Sequence, residues 1–148
     1  MLASLMNERR ISLNYEAADY SDAIREAGRL LEEDGCIRAE YTNACLETLR
    51  KRGADMVLAQ GLALPHARST EGVLKTGISL VVLKNPVCFG NKTNDPVKVV
   101  FCLAAADNSE HLGALQDIAY FALDRQKFDA LTSISDPADA FSYICSLS

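Results

Sequence analysis

The sequence has no tryptophan, only two histidines and four prolines in 148 residues, and no long hydrophobic run. No apolar stretch approaches the roughly 20 residues that a membrane helix requires, so we do not expect direct insertion into a membrane. The N-terminus lacks the basic stretch, apolar core and cleavage-like end of a secretory signal, which makes the cytoplasm the expected location. With 49% hydrophobic and 24% charged residues, the composition is that of a soluble globular protein.

The cysteines and the net charge exclude further classes. The cysteines are odd in number, lie in apolar segments and show no C-x-x-C spacing, so we expect buried thiols rather than a disulfide framework. They are Cys36, Cys45, Cys88, Cys102 and Cys145. The net charge of -5 argues against nucleic acid as the main partner, because a nucleic-acid-binding surface is normally positive.

Helical and strand-like patterns alternate along the chain, which predicts one α/β domain over residues 1–148. Strands are predicted in segments 10–18, 56–67, 77–84 and 97–106, and helices in segments 21–35, 39–53, 109–125 and 136–146. The last three strand segments are apolar or β-branched runs, typical of strands that are covered on both faces.

Two of the helices carry more specific signals. In the helix over 109–125, the expected buried stripe consists of Leu112, Leu115, Ala119 and Ala122. In the helix over 136–146, Asp136 fits the N-cap and Pro137 the first helical position.

The stretch G-L-A-L-P-H-A-R-S, residues 61–69, contains the most informative histidine. Pro65 should end the preceding strand, which places His66 at a strand end, where sites of α/β proteins form. His111 falls at the start of a predicted helix, where free backbone N–H groups favour an anion. A neutral imidazole is a nucleophile at cytoplasmic pH, and Arg68 could hold phosphoryl oxygens. The residues therefore indicate a phosphohistidine site.

Each of these residues also has a purely structural interpretation, and residue chemistry alone leaves both open. His66 is equally explained as a hydrogen-bonded turn residue, and His111 as a residue at a helix start. Arg50 could complement the C-terminus of its helix, and Arg68 could be a solvated loop cation.

Other site chemistries find less support. A zinc site needs a third and usually a fourth ligand, and no H-x-x-x-H, H-E-x-x-H or Cys/His cluster supplies them. A nucleophilic Cys88 or Cys102 near a histidine is conceivable, but apolar flanks favour inert packing of these thiols. The G-x-S-x-G elbow and the glycine-rich nucleotide loops are absent from the sequence.

Four segments together carry a resemblance that covers essentially the whole chain: G-L-A-L-P-H-A-R, E-G-V-L-K-T-G, N-D-P-V and A-A-A-D-N-S-E-H. They resemble the fructose/mannitol-type (type 2) enzyme IIA domains of the phosphoenolpyruvate-dependent sugar phosphotransferase system, with the closest match to the ascorbate-specific IIA branch. The resemblance implies a three-layer α/β/α fold with a mixed β-sheet. It also implies catalysis without a metal or nucleotide cofactor.

The resemblance assigns roles to named positions. It implies that His66 accepts a phosphoryl group from the phosphocarrier HPr and passes it to a cysteine of a IIB protein, with His111 beside it. Arg68 matches an arginine typical of ascorbate-type relatives, and Arg50 matches one found in mannitol-type relatives, so both are candidates for the phosphoryl contact. Ala67 stands where many relatives have glycine, which puts the backbone geometry there in question.

The resemblance also bears on partners. The chain ends without a IIB or IIC segment, which implies a free-standing component that works with HPr, a cognate IIB protein and a membrane IIC. Because HPr and the IIB protein must each reach the same imidazole of His66, we expect the surface around it to be an apolar patch for transient docking. The sugar expected from the branch is L-ascorbate; the alternative is a regulatory, nitrogen-type module that controls a partner through its phosphorylation state. A homodimer stays open.

Overall fold

In the computed structural model, which describes residues 2–147, the chain folds into five strands and five α-helices. The strands are β1 (Ile11–Tyr15), β2 (Val57–Ala59), β3 (Leu62–Ala63), β4 (Gly77–Val87) and β5 (Val97–Ala104). The helices are α1 (Tyr20–Glu33), α2 (Ala39–Arg52), α3 (Asn108–Leu123), α4 (Arg125–Thr132) and α5 (Pro137–Ser146).

The strands form one mixed sheet in the order β1-β4-β5-β3-β2. The pairs β1/β4 and β3/β5 are parallel, whereas β4/β5 and β2/β3 are antiparallel. Helices α1 and α2 cover one face, and α3, α4 and α5 cover the other. The predicted α/β/α fold with a mixed sheet is therefore confirmed.

The core lies on both faces of the sheet, as the apolar runs predicted. Along β5, Val100 and Cys102 face the α1/α2 layer, while Phe101 and Leu103 face the α3–α5 layer. All four are at most 1% exposed. Full burial of one large aliphatic or aromatic side chain contributes about 1.5–3 kcal/mol. The central strand β5 therefore anchors both helical layers.

The parallel pairing of β3 with β5 positions the two histidines. Leu62 pairs with Val99 and Ala63 with Val100, so both strands end at the same edge of the sheet. The chain leaves β3 toward His66 and leaves β5 toward α3, whose first turn carries His111. Two residues that are 45 positions apart are thereby brought to one edge.

The structure has one strand and one helix more than the sequence predicts. The segment 56–67 is two strands, because Gly61 adopts a left-handed φ of 76° and reverses the chain between β2 and β3. The helix predicted over 109–125 ends at Leu123, and the unpredicted α4 follows. The Asp124 carboxylate caps α4 by accepting the N–H groups of Gln126 and Lys127.

The buried stripe of α3 also differs. Leu112 is 58% exposed, and the buried residues of the helix are Ala114, Ile118, Phe121 and Ala122. Apolar residues surround much of this helix, so periodicity alone does not select the packed stripe. At α5 the sequence signal was sufficient: the Asp136 carboxylate accepts the Ala138 N–H, with Pro137 at the first helical position.

The thiols divide into two groups. Cys36, Cys45 and Cys102 are buried, as expected, whereas Cys88 and Cys145 are exposed. Cys88 follows the end of β4, and Cys145 lies in the last turn of α5. The expectation that the thiols are buried was wrong for these two.

Candidate active site

An open cleft of about 660 Å³ lies at the sheet edge where β3 and β5 end. The segment after β3, the segment between β5 and α3, and the C-terminal half of α2 form its walls. The lining residues are Ala44, Glu47, Thr48, Lys51, Arg52, His66, Ala67, Arg68, Ser69, Glu71, Ala105, Asp107, Asn108 and His111. Both histidines of the chain therefore line one cleft.

The imidazole of His66 is held in one tautomer by its own backbone. Its Nδ1 atom lies 2.8 Å from the carbonyl oxygen of Leu64. Because a carbonyl only accepts, Nδ1 must carry the proton and Nε2 keeps its lone pair. Leu64 is itself fixed, since its N–H donates to the Met56 carbonyl at 2.7 Å. The half-buried ring thus presents Nε2 as a nucleophile.

Ala67 fits the loop without backbone strain. Among residues 2–147, the only non-glycine residue with a positive φ is Asn14. Ala67 therefore adopts a conformation open to any L-residue, and the question raised by the missing glycine is answered.

His111 lies against His66. The two ring centroids are 5.7 Å apart, with an angle of 60° between the planes. Burial lowers the pKa of His111, and the neighbouring His66 lowers it further. A neutral His111 retains one N–H donor without placing a positive charge beside the His66 ring.

The start of α3 is less open to anions than the sequence indicated. The Asp107 carboxylate already accepts the Glu110 N–H at 2.7 Å. An anion at this terminus would share it with a carboxylate, which weakens the contribution of the helix dipole. The N-terminal N–H groups of α3 are therefore a minor part of the site.

Three cations line the cleft: Arg68, Lys51 and Arg52. In the part of the chain that the structure describes, none of them forms an ion pair. The resemblance selected Arg50 from the basic residues 50–52 at the end of α2. The sequence carries no signal for Lys51 and Arg52, because which side of α2 faces the cleft depends on how the helix packs against the sheet.

Arg50 itself is outside the cleft lining. Its guanidinium lies 3.5 Å from the Glu47 carboxylate, and its side chain is 61% exposed. The structure thus brings together His66, His111 and Arg68 of the predicted site residues, but not Arg50.

The expected apolar docking patch is wrong for the cleft itself, because most of its lining is polar or charged. Glu47, Glu71 and Asp107 accompany the three cations there. Leu112, next to His111, is an exposed apolar residue. A protein partner would therefore meet a charged cleft beside an apolar side chain.

Beside the cleft, a hydrogen bond joins two segments of the resemblance, E-G-V-L-K-T-G and A-A-A-D-N-S-E-H. The hydroxyl of Thr76 accepts the N–H of Ala106 at 2.8 Å and so fixes the backbone that leads into α3.

The alternative site chemistries gain no support from the structure. Cys88 and Cys102 do not line the cleft. Within residues 2–147, no three His, Cys, Asp or Glu side chains form a group that could hold a metal ion, and no helix is long and apolar enough to cross a membrane.

Comparisons with known proteins identify the family of the chain. The model of the family "Phosphoenolpyruvate-dependent sugar phosphotransferase system, EIIA 2" matches residues 4–146. The ascorbate-specific PTS system EIIA component of Escherichia coli (strain K12) is 38% identical over 130 residues, which cover 86% of this chain and 84% of that protein.

Solved structures share the fold. The mannitol-specific cryptic phosphotransferase enzyme IIA CmtB from Escherichia coli has a TM-score of 0.87 and 32% identity, covering 99% of each chain. The enzyme IIAMTL, solved in complex with phosphorylated enzyme IIBMTL from Escherichia coli, has a TM-score of 0.82 and 25% identity, covering 95% of this chain and 97% of that one. The fold is that of phosphotransferase IIA components. This chain belongs to the EIIA type 2 family of the phosphoenolpyruvate-dependent sugar phosphotransferase system.

Proposed function

We propose that this protein is a phosphoryl carrier in which Nε2 of His66 accepts a phosphoryl group from phosphorylated HPr and passes it to a cysteine of a cognate IIB protein. The observation that supports it best is the hydrogen bond from Nδ1 of His66 to the Leu64 carbonyl, 2.8 Å long. This bond keeps the proton of the neutral ring on Nδ1 and leaves the reactive lone pair on Nε2.

The two transfers balance without a proton shuttle. In the first, the Nε2 lone pair attacks phosphorus, and the bond from phosphorus to the donor breaks with its electron pair returning to the donor. The Leu64 carbonyl keeps the proton on Nδ1, so the phosphorylated ring is cationic. In the second, a cysteine thiolate attacks phosphorus, the P–N bond breaks, and its electron pair restores the neutral imidazole of His66.

The cleft supplies charge stabilisation for both steps. A phosphoryl group in transit spreads negative charge over three equatorial oxygens and needs positioning more than covalent chemistry. Arg68 lies two residues from His66, and Lys51 and Arg52 face the same cleft without a carboxylate partner in the described chain. Neutral His111 adds an N–H donor, so we assign the phosphoryl contacts to these residues in preference to Arg50.

The relatives support a substrate and partners for this proposal. The Escherichia coli protein that is 38% identical is ascorbate-specific, and a structural neighbour was solved with a phosphorylated IIB protein. We therefore infer a cytoplasmic component of L-ascorbate uptake that works with HPr, IIB and membrane IIC. In this scheme the sugar does not contact the IIA protein and is selected by the membrane component, so transfer to an ascorbate-type IIB protein is the test of the sugar assignment.

A reconstituted relay tests the proposal. Purified protein is incubated with radiolabelled phosphoenolpyruvate, enzyme I and HPr, and then with an ascorbate-type IIB protein. We expect one acid-labile phosphate per chain, no label on His66→Ala, retained label on the neighbouring variant His111→Gln, and chase of the label to IIB. Full labelling of His66→Ala would refute the carrier role.

The chase separates transport from regulation. Failure to transfer to an ascorbate-type IIB would remove the substrate assignment while leaving the carrier role intact. If no IIB protein accepts the label and another protein binds only one phosphorylation state, the regulatory alternative is the correct one.

A further inference from the structure

We propose that Tyr41 is a positioning residue for His66: its buried hydroxyl fixes the backbone on the C-terminal side of the histidine to the end of β5. This inference rests on the proposed phosphorylation of His66. It concerns a side chain that is outside the cleft lining and 25 positions before the histidine.

The hydroxyl connects two backbone segments. Tyr41 lies near the start of α2 and is 1% exposed. Its O–H donates to the Leu103 carbonyl at 2.6 Å and accepts the Ala67 N–H at 2.9 Å. The carbonyl of Ala67 is also within 3.3 Å of the hydroxyl. One oxygen atom thus links α2, the end of β5 and the residue after His66.

The residue before His66 is attached to the same point of β5. The N–H of Leu103 donates to the Pro65 carbonyl at 3.1 Å. Both neighbours of His66 are therefore connected to Leu103, one directly and the other through Tyr41. The Nδ1–Leu64 bond depends on this arrangement, because a shift of the His66 backbone would move the ring away from the carbonyl that sets its tautomer.

The chemistry of the phenol suits this role. Burial raises the pKa of Tyr41, and the neighbouring Cys45 and Cys102 thiols raise it further, so the hydroxyl stays protonated and able to donate. If the hydroxyl is removed, the half-buried Ala67 N–H and the buried Leu103 carbonyl each lose a hydrogen-bond partner. The backbone around His66 would then have to move to find new partners.

The glycine of E-G-V-L-K-T-G supports the same tyrosine. Gly72 has a φ of 119°, and a Cβ atom added there would lie 3.3 Å from the Tyr41 backbone nitrogen. Its carbonyl accepts the Arg38 N–H at 2.9 Å, just before α2 begins. This segment therefore holds the start of α2 that carries Tyr41.

Tyr41→Phe is the direct test, because it deletes the hydroxyl and keeps the ring. We expect the kcat for phosphoryl acceptance from phosphorylated HPr to fall roughly tenfold or more, with KM changed by less than about twofold, since positioning is lost and docking is not. In ¹⁵N NMR spectra of the unphosphorylated protein, His66 should change from one Nδ1–H tautomer to a mixture.

Ser79→Ala is the matched control. Its hydroxyl is also fully buried and donates to a backbone carbonyl, that of Ala27 at 2.8 Å, but the residue is outside the cleft lining. We expect a comparable loss of melting temperature, with the tautomer of His66 and kcat unchanged. If both variants alter kcat equally, or if Tyr41→Phe keeps the single tautomer, Tyr41 is not a positioning residue.

Amide exchange in the unmodified protein supplies a test that needs no variant. We expect the Ala67 N–H to be protected, although it lies in a half-buried loop, because it donates to the Tyr41 hydroxyl. Exchange at the rate of an unprotected amide would overturn the inference. The tautomer and exchange readouts need no phosphoryl transfer, so they decide the role of Tyr41 even if the carrier function proves wrong.

Discussion

Segments of the family resemblance lie at both ends of β5, but the residues at the two ends differ in how their hydrogen-bonding groups are occupied. At the N-terminal end, in N-D-P-V, the Asp95 carboxylate accepts the N–H groups of Phe89 and Gly90, both at 2.9 Å. At the C-terminal end, the cleft contains Arg68 and the His66 imidazole, whose Nε2 has no hydrogen-bond partner among residues 2–147. Motif residues whose hydrogen-bonding groups are paired within the protein maintain the fold, whereas those with unpaired donors or acceptors are available to a ligand.

Removal of the nucleophile should produce the largest effect. We expect His66→Ala to lower phosphoryl acceptance by about a thousandfold or more, because no other group at the cleft has both an accessible lone pair and a fixed tautomer. The ring is half-buried with one hydrogen bond, so the free energy of unfolding should change by only about 1 kcal/mol. Rates from labelled HPr and urea unfolding measure the two quantities; a large loss of stability would erase the contrast between the two ends.

The cleft cations come next. Arg68→Ala should lower the rate of phosphoryl acceptance by roughly 10- to 100-fold, because one charge-assisted hydrogen bond to the transferring group is worth about 1.5–3 kcal/mol.

Arg50→Ala is the matched control, since it removes an exposed arginine that is itself outside the cleft lining and pairs with Glu47 at the edge of the cleft. Its rate should stay within about twofold of the unmodified protein. Equal losses in Arg68→Ala and Arg50→Ala would return Arg50 to the site.

At the other end of β5, Asp95→Ala should affect folding alone. Loss of two hydrogen bonds to backbone N–H groups is expected to lower the free energy of unfolding by about 1–3 kcal/mol. Measured below the melting transition, the rate of phosphoryl acceptance should be unchanged. A selective loss of rate in a stable Asp95→Ala protein would show that N-D-P-V acts on the chemistry.

The smallest effect concerns pH. Burial lowers the pKa of His111 in the folded state, so at mildly acidic pH the unfolded chain binds a proton that the folded chain does not. Stability should therefore decrease as the pH falls through about 6.5, the ordinary histidine pKa. Replacement by glutamine removes this contribution. The free energy of unfolding of His111→Gln, measured in urea, should therefore depend less on pH between roughly 7 and 5. An equal dependence in both proteins would contradict the assignment.

The sequence predicted the fold class, most strands and the edge position of His66 because these depend on local patterns: apolar runs, a strand-ending proline and a helix start. It missed the reversal at Gly61 and the helix α4, where a single glycine or aspartate ends one element and begins another. It could not choose between Arg50 and its neighbours Lys51 and Arg52, since the choice depends on how α2 is rotated against the sheet. The role of Tyr41 depends on contacts with Ala67 and Leu103, far along the chain.

The central claim is that Nε2 of His66 carries the phosphoryl group while Nδ1 stays bound to the Leu64 carbonyl. Correlated ¹⁵N and ³¹P NMR of the protein phosphorylated by HPr tests it most directly. The account predicts one phosphorus coupled to Nε2 of His66, with a proton retained on Nδ1. Phosphorus on Nδ1 of His66, on His111 or on any other residue would contradict it.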